Sequence, residues 1–86
     1  MKKFPQIAEH QVVLVWADFK TGQVLDSSFV VVTKEDQEPF KIFDDVKSAV
    51  EYAKQNITPK GTLECVIHGA DEELLHYITP DNVKNF

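Results

Sequence analysis

Residues 44–68 read DDVKSAVEYAKQNITPKGTLECVIH, and inside this stretch the spacing of the apolar side chains changes period. Val46, Ala49, Val50, Ala53 and Ile57 stand at the i, i+3, i+4, i+7, i+11 positions that share one face of a helix. Asp44 or Asp45 can cap its start, where negative charge suits the helix dipole. Pro59 and Gly61 punctuate its end, which predicts a helix over about residues 45–56. Beyond Gly61 the period becomes two. Leu63, Cys65 and Ile67 alternate with Glu64, Val66 and His68, as along a strand.

Outward from this stretch the chain reads as strands. QVVLVWADF (11–19) and VLDSSFVVVT (24–33) are rich in valine and aromatic residues, and KTGQ between them offers Gly22 for a hairpin loop with a glycine bulge. KEDQEP (34–39) is a polar loop, followed by a short extended piece, FKIF. After the helix, TLECVIH and EELLHYIT are strands joined by the GAD turn. A short helix from Asp71 is the alternative for residues 71–78, because DEELL also reads as a capped first turn. Residues 1–10 and 79–86 are tails, the second partly helical from a Thr79 cap with Pro80 at its first position. The expected fold is α+β: one domain, residues 1–86, with an antiparallel sheet of four or five strands in ββαββ order and one helix packed on one face.

Composition excludes several functions. The chain has 86 residues, 14 acidic against 9 basic, for a net charge of −5, and all nine basic residues are lysine. The field repels phosphate, and no guanidinium fork is present to read guanine, so nucleic acid is not an expected partner. A single cysteine makes no internal disulfide, which fits a reducing compartment. Two lysines near the start have no adjacent apolar segment, and VVLVWA falls far short of the ~20 residues of a membrane span. The expectation is a soluble, cytoplasmic protein without membrane association.

Cys65, His68 and His76 raise the question of a thiol or metal centre. A turn through Ala70–Asp71, or through Gly69–Glu72, sets Cys65 opposite His76, on one face with Leu63, Ile67, Leu74 and Ile78. His68 points to the other face. Zinc needs three or four converging ligands, and here at most two converge, with His10 far away in sequence. No metal and no cofactor is expected. Among leucine and isoleucine in an acidic chain, a thiol is held protonated rather than activated. Cys65 is therefore read as a small core residue, with a small-ligand or thiol site at the Cys65/His76 pair as the alternative function. No phosphate-binding glycine loop, nucleophile elbow or His-Glu-x-x-His occurs, and no catalytic residues are assigned.

The first hairpin supplies the candidate contact surface. With a three-residue loop, Val13, Val15, Ala17, Phe19, Leu25 and Phe29 share one face. Val12, Leu14, Trp16, Val24 and Val30 share the other with Asp18, Asp26 and Ser28. Both faces are apolar, yet one helix covers only one of them. Either Phe4, Ile7, Val83 and Phe86 of the tails fold over the second face, or that face binds a protein or a second copy. On the binding reading Trp16 and Leu14 anchor the contact, and Asp18, Asp26 and Ser28 form its polar rim. The acidic stretch at Glu35, Asp36, Glu38, Asp44 and Asp45 is a further candidate, able to steer a basic partner. The expected function is that of a small non-enzymatic interaction module.

From Phe43 to Ile78 the chain also resembles a group of small bacterial domains of unknown function. The resemblance rests on FDDVKSAVEYAK, with its Ala49-x-x-x-Ala53 helix, and on LECVIHGAD. It covers about half the chain. That group typically carries glycine at the position held here by Glu72, and its first hairpin is shorter. The resemblance implies a ββαββ fold and no particular activity.

Overall fold

The computed structural model describes residues 3–86; the first two residues of the expected N-terminal tail lie outside them. The elements in order are β1 (Val12–Asp18), β2 (Val24–Leu25), β3 (Phe40–Phe43), α1 (Val46–Lys60), β4 (Leu63–His68), β5 (Leu74–Ile78) and a 3-10 turn at Val83–Asn85. The sheet is antiparallel throughout, in the order β2-β1-β4-β5, with β3 pairing the same side of β1 as β2. The α+β fold is as expected, and FKIF is its fifth strand.

Helix α1 begins where Asp45 caps it, its carboxylate accepting the Ser48 backbone N–H at 2.7 Å. That bond holds the Asp45 carboxyl below its ordinary value. Asp44 instead accepts from the Gln11 side chain. The helix runs past the expected end at residue 56 to Lys60, with Pro59 inside its last turn. Proline there removes a single backbone donor, and completely buried Ile57 anchors the turn. Gly61, at φ 65°, then stops the helix by donating its N–H to the Ile57 carbonyl at 2.9 Å.

The largest correction lies at the first hairpin. Its loop has four residues, Phe19–Gly22, closed by Gly22 N–H to the Asp18 carbonyl at 2.7 Å, with Gly22 at φ 77°. Trp16 pairs with Leu25, and Ala17 with Val24. Relative to a three-residue loop the register slips by one, which exchanges the faces of the second strand. Leu25 and Phe29 join the Trp16 side.

The second strand is also far shorter than the run 24–33. Asp26 accepts the backbone N–H groups of Ser28 and Val30 at 2.8 and 3.0 Å and turns the chain back on itself, so that Leu25 bridges Val31. Local side-chain bonds of this kind compete with strand pairing. β3 takes the vacated place beside Val12–Val15.

The core lies between α1 and one face of the sheet. Ala49, Ala53 and Ile57 of the helix meet Val12, Leu14, Trp16, Leu25, Leu63, Cys65, Ile67 and Ile78, all buried. The two tails separate. Val83 is buried in this core, and Phe86 packs edge-on to His76 at 5.3 Å, so the C-terminal segment closes the helix side. Phe4 crosses to the opposite face, edge-on to Phe40 at 5.8 Å and His68 at 5.9 Å.

Candidate functional site: the helix-free face of the sheet

The expected contact residues do not form an open surface. Trp16 is 1% exposed and Leu14 is fully buried, both beneath the helix. The Trp16 ring packs against Phe29 at 5.5 Å and Tyr52 at 5.8 Å. Asp18 accepts the N–H groups of Lys20 and Thr21, which shapes its own turn. Asp26 bonds Gln37 Nε2 at 3.0 Å and the Val30 N–H, and these hold its carboxyl below the ordinary value. Ser28 is exposed and donates its backbone N–H to Asp26. So the anchors are core residues, and the two aspartates are turn-formers.

A usable signal was present in the alanines. A helix face built on Ala49 and Ala53 approaches the sheet closely and leaves volume for bulky partners. Trp16 and Leu14 fill that volume, whereas the alternate positions Val15 and Ala17 do not.

The face turned away from the helix keeps apolar side chains in reach of solvent. Pairing across the ladders puts Val13, Val15 and Ala17 of β1 beside Ile42, Phe40 and Val24 on one side, and beside His68, Val66 and Glu64 of β4 on the other. Tyr77 of β5 stands opposite Val66. Cover is uneven. Val13, in the corner where Phe4 lies against Phe40 and His68, is fully buried. Val15, Ala17, Val24 and Val66 are half-buried, while Ile42 is 46% and Tyr77 47% exposed. Glu64 is the one ionisable carboxylate that the strands place on this face, and the Tyr77 hydroxyl donates to it. That bond pushes the Tyr77 phenol above its ordinary value.

The outer edge of β5 is partly closed. Asn82 donates its side-chain N–H to the Tyr77 carbonyl at 2.9 Å, occupying an acceptor that an added strand would need. A broad face, rather than this edge, is the accessible feature of the sheet.

The hairpin register at residues 63–78 also differs from expectation. The loop is closed by Gly69 N–H to the Glu73 carbonyl, with Glu72 at φ 62°, and a further irregularity follows at Ile67/His68. Together they move the pairing by two residues. Cys65 stands opposite Ile78, and His76 opposite Ile67. The thiol is 1% exposed, and burial pushes it up to about 12, so almost none is thiolate at neutral pH. Cys65 and His76 keep their shared face but lose the cross-strand pair, while Leu74, expected on that face, stands opposite His68 because of the bulge.

Two clefts remain. One, of about 350 Å³, lies between residues 9–12 and the 69–75 hairpin and carries Glu9, Asp71 and Glu73. The other, of about 260 Å³, is lined by Asp26, Ser27, Ser28, Asp36, Gln37 and Glu38. Among the described residues no group of three or more metal-ligating side chains converges, and no helix is long and apolar enough to cross a membrane. Compared with known proteins, the chain matches no family model, no curated protein and no solved structure.

Proposed function

We propose that this chain is a small, non-catalytic interaction module of the cytoplasm that binds protein through the helix-free face of its sheet. The carrying observation is the layer order. One helix covers one face, and the other keeps Val15, Ala17, Val24, Val66, Ile42 and Tyr77 in a contiguous apolar array with a single strand carboxylate, Glu64, that accepts from the Tyr77 hydroxyl. An apolar sheet face left without a covering layer is the kind of surface that soluble proteins use for contact.

The test compares the tagged wild-type chain with a Val66→Glu variant on the same host lysate, weighing what each retains. Val66 is central on the face and remote from the helix-covered core. A protein held by the wild type and lost by the variant supports the reading. Equal retention by both, or retention by neither in a chain that is also monomeric, removes the face from consideration.

A further inference from the structure

We infer that residues 26–34 form a strap over the edge of the core, latched by Phe29, which swings out as a unit and bares Trp16 while the rest of the sheet stays folded. The strap lies on the helix side of the sheet, away from the contact face proposed above.

Its hydrogen bonds are its own. Asp26 accepts the N–H groups of Ser28 and Val30 on its carboxylate, and its own N–H donates to the Val30 carbonyl at 2.8 Å. Gln37 buttons the far end. Its Oε1 accepts the Thr33 and Lys34 N–H groups at 2.6 and 2.9 Å, and its Nε2 donates to Asp26 Oδ2 and to the Val31 carbonyl at 3.0 and 2.9 Å. Val32 N–H donates to the Val24 carbonyl and so reaches no farther than β2. Among the described residues, every hydrogen bond of residues 26–34 closes within residues 24–37. The strap can therefore move with all of them intact. Buried Leu25 and Pro39 fix the chain on either side of it.

What ties the strap to the rest of the molecule is side-chain packing. Phe29 and Val31 are the residues it sets against the core. The Phe29 ring stands edge-on to the Trp16 indole at 5.5 Å, and Lys60 Nζ, at the end of α1, lies 4.1 Å from the centre of the same phenyl ring.

Two features work against closure. Phe29 sits at φ 65°, in the left-handed region where a bulky side chain is an outlier, and only the closed strap holds it there. The indole beneath keeps its Nε1–H buried with no acceptor, a cost that water relieves once the ring is exposed. A half-buried phenyl ring, a valine and one lysine contact stand against that strain and that orphaned donor. Such a segment opens well before the sheet does, because few buried contacts hold it. The opened form presents Trp16 beside Tyr52, an aromatic floor with one free donor that the closed form withholds.

Hydrogen exchange of the full chain, read proton by proton by NMR across low urea concentrations, tests this. Trp16 is the only tryptophan, so its indole N–H gives one resolved signal that reports directly on its cover. The Phe29, Val30 and Val32 amides, all bonded within the closed strap, should exchange with little dependence on urea, and the indole N–H should share that shallow slope. The slowest amides of β1 and β4 should show the steep slope of global unfolding. Gln37→Glu removes the Nε2 donor and sets a carboxylate against Asp26. It should speed the strap amides and the indole N–H by the same factor, about tenfold, which is what a hydrogen bond to a charged group contributes. An indole N–H that follows the steep slope of β1 and β4 overturns the inference. So does a Gln37→Glu chain in which the strap amides speed up and the indole N–H does not.

Discussion

The two faces of this sheet carry nearly equal numbers of apolar side chains and have opposite fates. On the helix side Val12, Leu14, Trp16, Leu25, Cys65 and Ile67 are all below 5% exposure, and they interlock with Ala49, Ala53 and Ile57. On the other side Val15, Ala17, Val24 and Val66 keep partial contact with water, and Tyr77 and Ile42 are nearly half exposed. Apolar content alone therefore does not say which face is core. What separates them is the size match with the layer above: small residues on the helix meet large ones on the sheet. The helix-side array stabilises the fold, while the other remains partly open to water.

The comparison breaks first at Trp16 if it is wrong. Trp16→Ala removes the largest core side chain, and the expected cost is about 3–5 kcal/mol in urea or thermal unfolding. A cost under about 1 kcal/mol would mean that the helix does not seal this face. Trp16→Phe should be far milder. The indole Nε1–H is buried without a hydrogen-bond acceptor, so phenylalanine loses some volume yet also removes an orphaned donor.

Cys65 gives a second test of the sealed side through pH. Its thiol titrates near 9.0 when unfolded and at about 12 when folded, because burial disfavours the thiolate. A raised folded value means that the contribution is complete below about pH 9 and is lost as the pH climbs towards 12. The slope is at most about 1.4 kcal/mol per pH unit. Stability measured from pH 8 to 11 on wild type and Cys65→Ala should therefore diverge from a constant offset only above about pH 9. An offset that stays constant throughout would mean that the thiol is accessible to water.

The hairpin joining β4 to β5 offers a smaller effect with the opposite sign. Glu72 holds φ 62°, a left-handed backbone that glycine adopts without strain. Glu72→Gly should stabilise the chain by about 0.5–1 kcal/mol in the same unfolding assay. A loss of stability instead would show that the Glu72 side chain contributes more than its backbone costs.

The helix, its N-cap, its glycine stop and the strands β1 and β4 could be located from residue periodicity and turn chemistry. The second strand could not be bounded, because the Asp26 turn ends it after Val24–Leu25. Nor could the pairing registers be fixed. Each depends on loop length, and a loop of four residues rather than three at Phe19–Gly22 reverses the face of Leu25. The same blindness affected Cys65 and His76, whose shared face follows from parity while their separation depends on bulges. The contact surface inherited that error. Both faces of β1 are apolar in sequence, and the enrichment of tryptophan at interfaces points to Trp16 as an exposed anchor. Yet only volume matching against Ala49 and Ala53 decides the side, and that is a property of two segments far apart in sequence. The C-terminal segment was equally hard to place, since its attachment depends on Val83 and Phe86 finding the helix side through Thr79 and Asn82 hydrogen bonds.

The smallest expected effect is the most pointed comparison, because it concerns a large apolar residue on the open side. Ile42 lies on β3 opposite Val13 and is 46% exposed. Ile42→Thr keeps a β-branched side chain, so the strand preference is nearly unchanged, and little buried area is removed. Urea unfolding of the dilute monomer should place its cost within about 0.5 kcal/mol. The same substitution at Ile67, buried between β1 and the helix, removes a fully covered side chain and leaves a hydroxyl among apolar groups, so it should cost several times more. If the two variants cost the same, the helix-free face is covered by something more than Phe4. The open array could then no longer be a contact surface, because its apolar residues would already be stabilising the monomer.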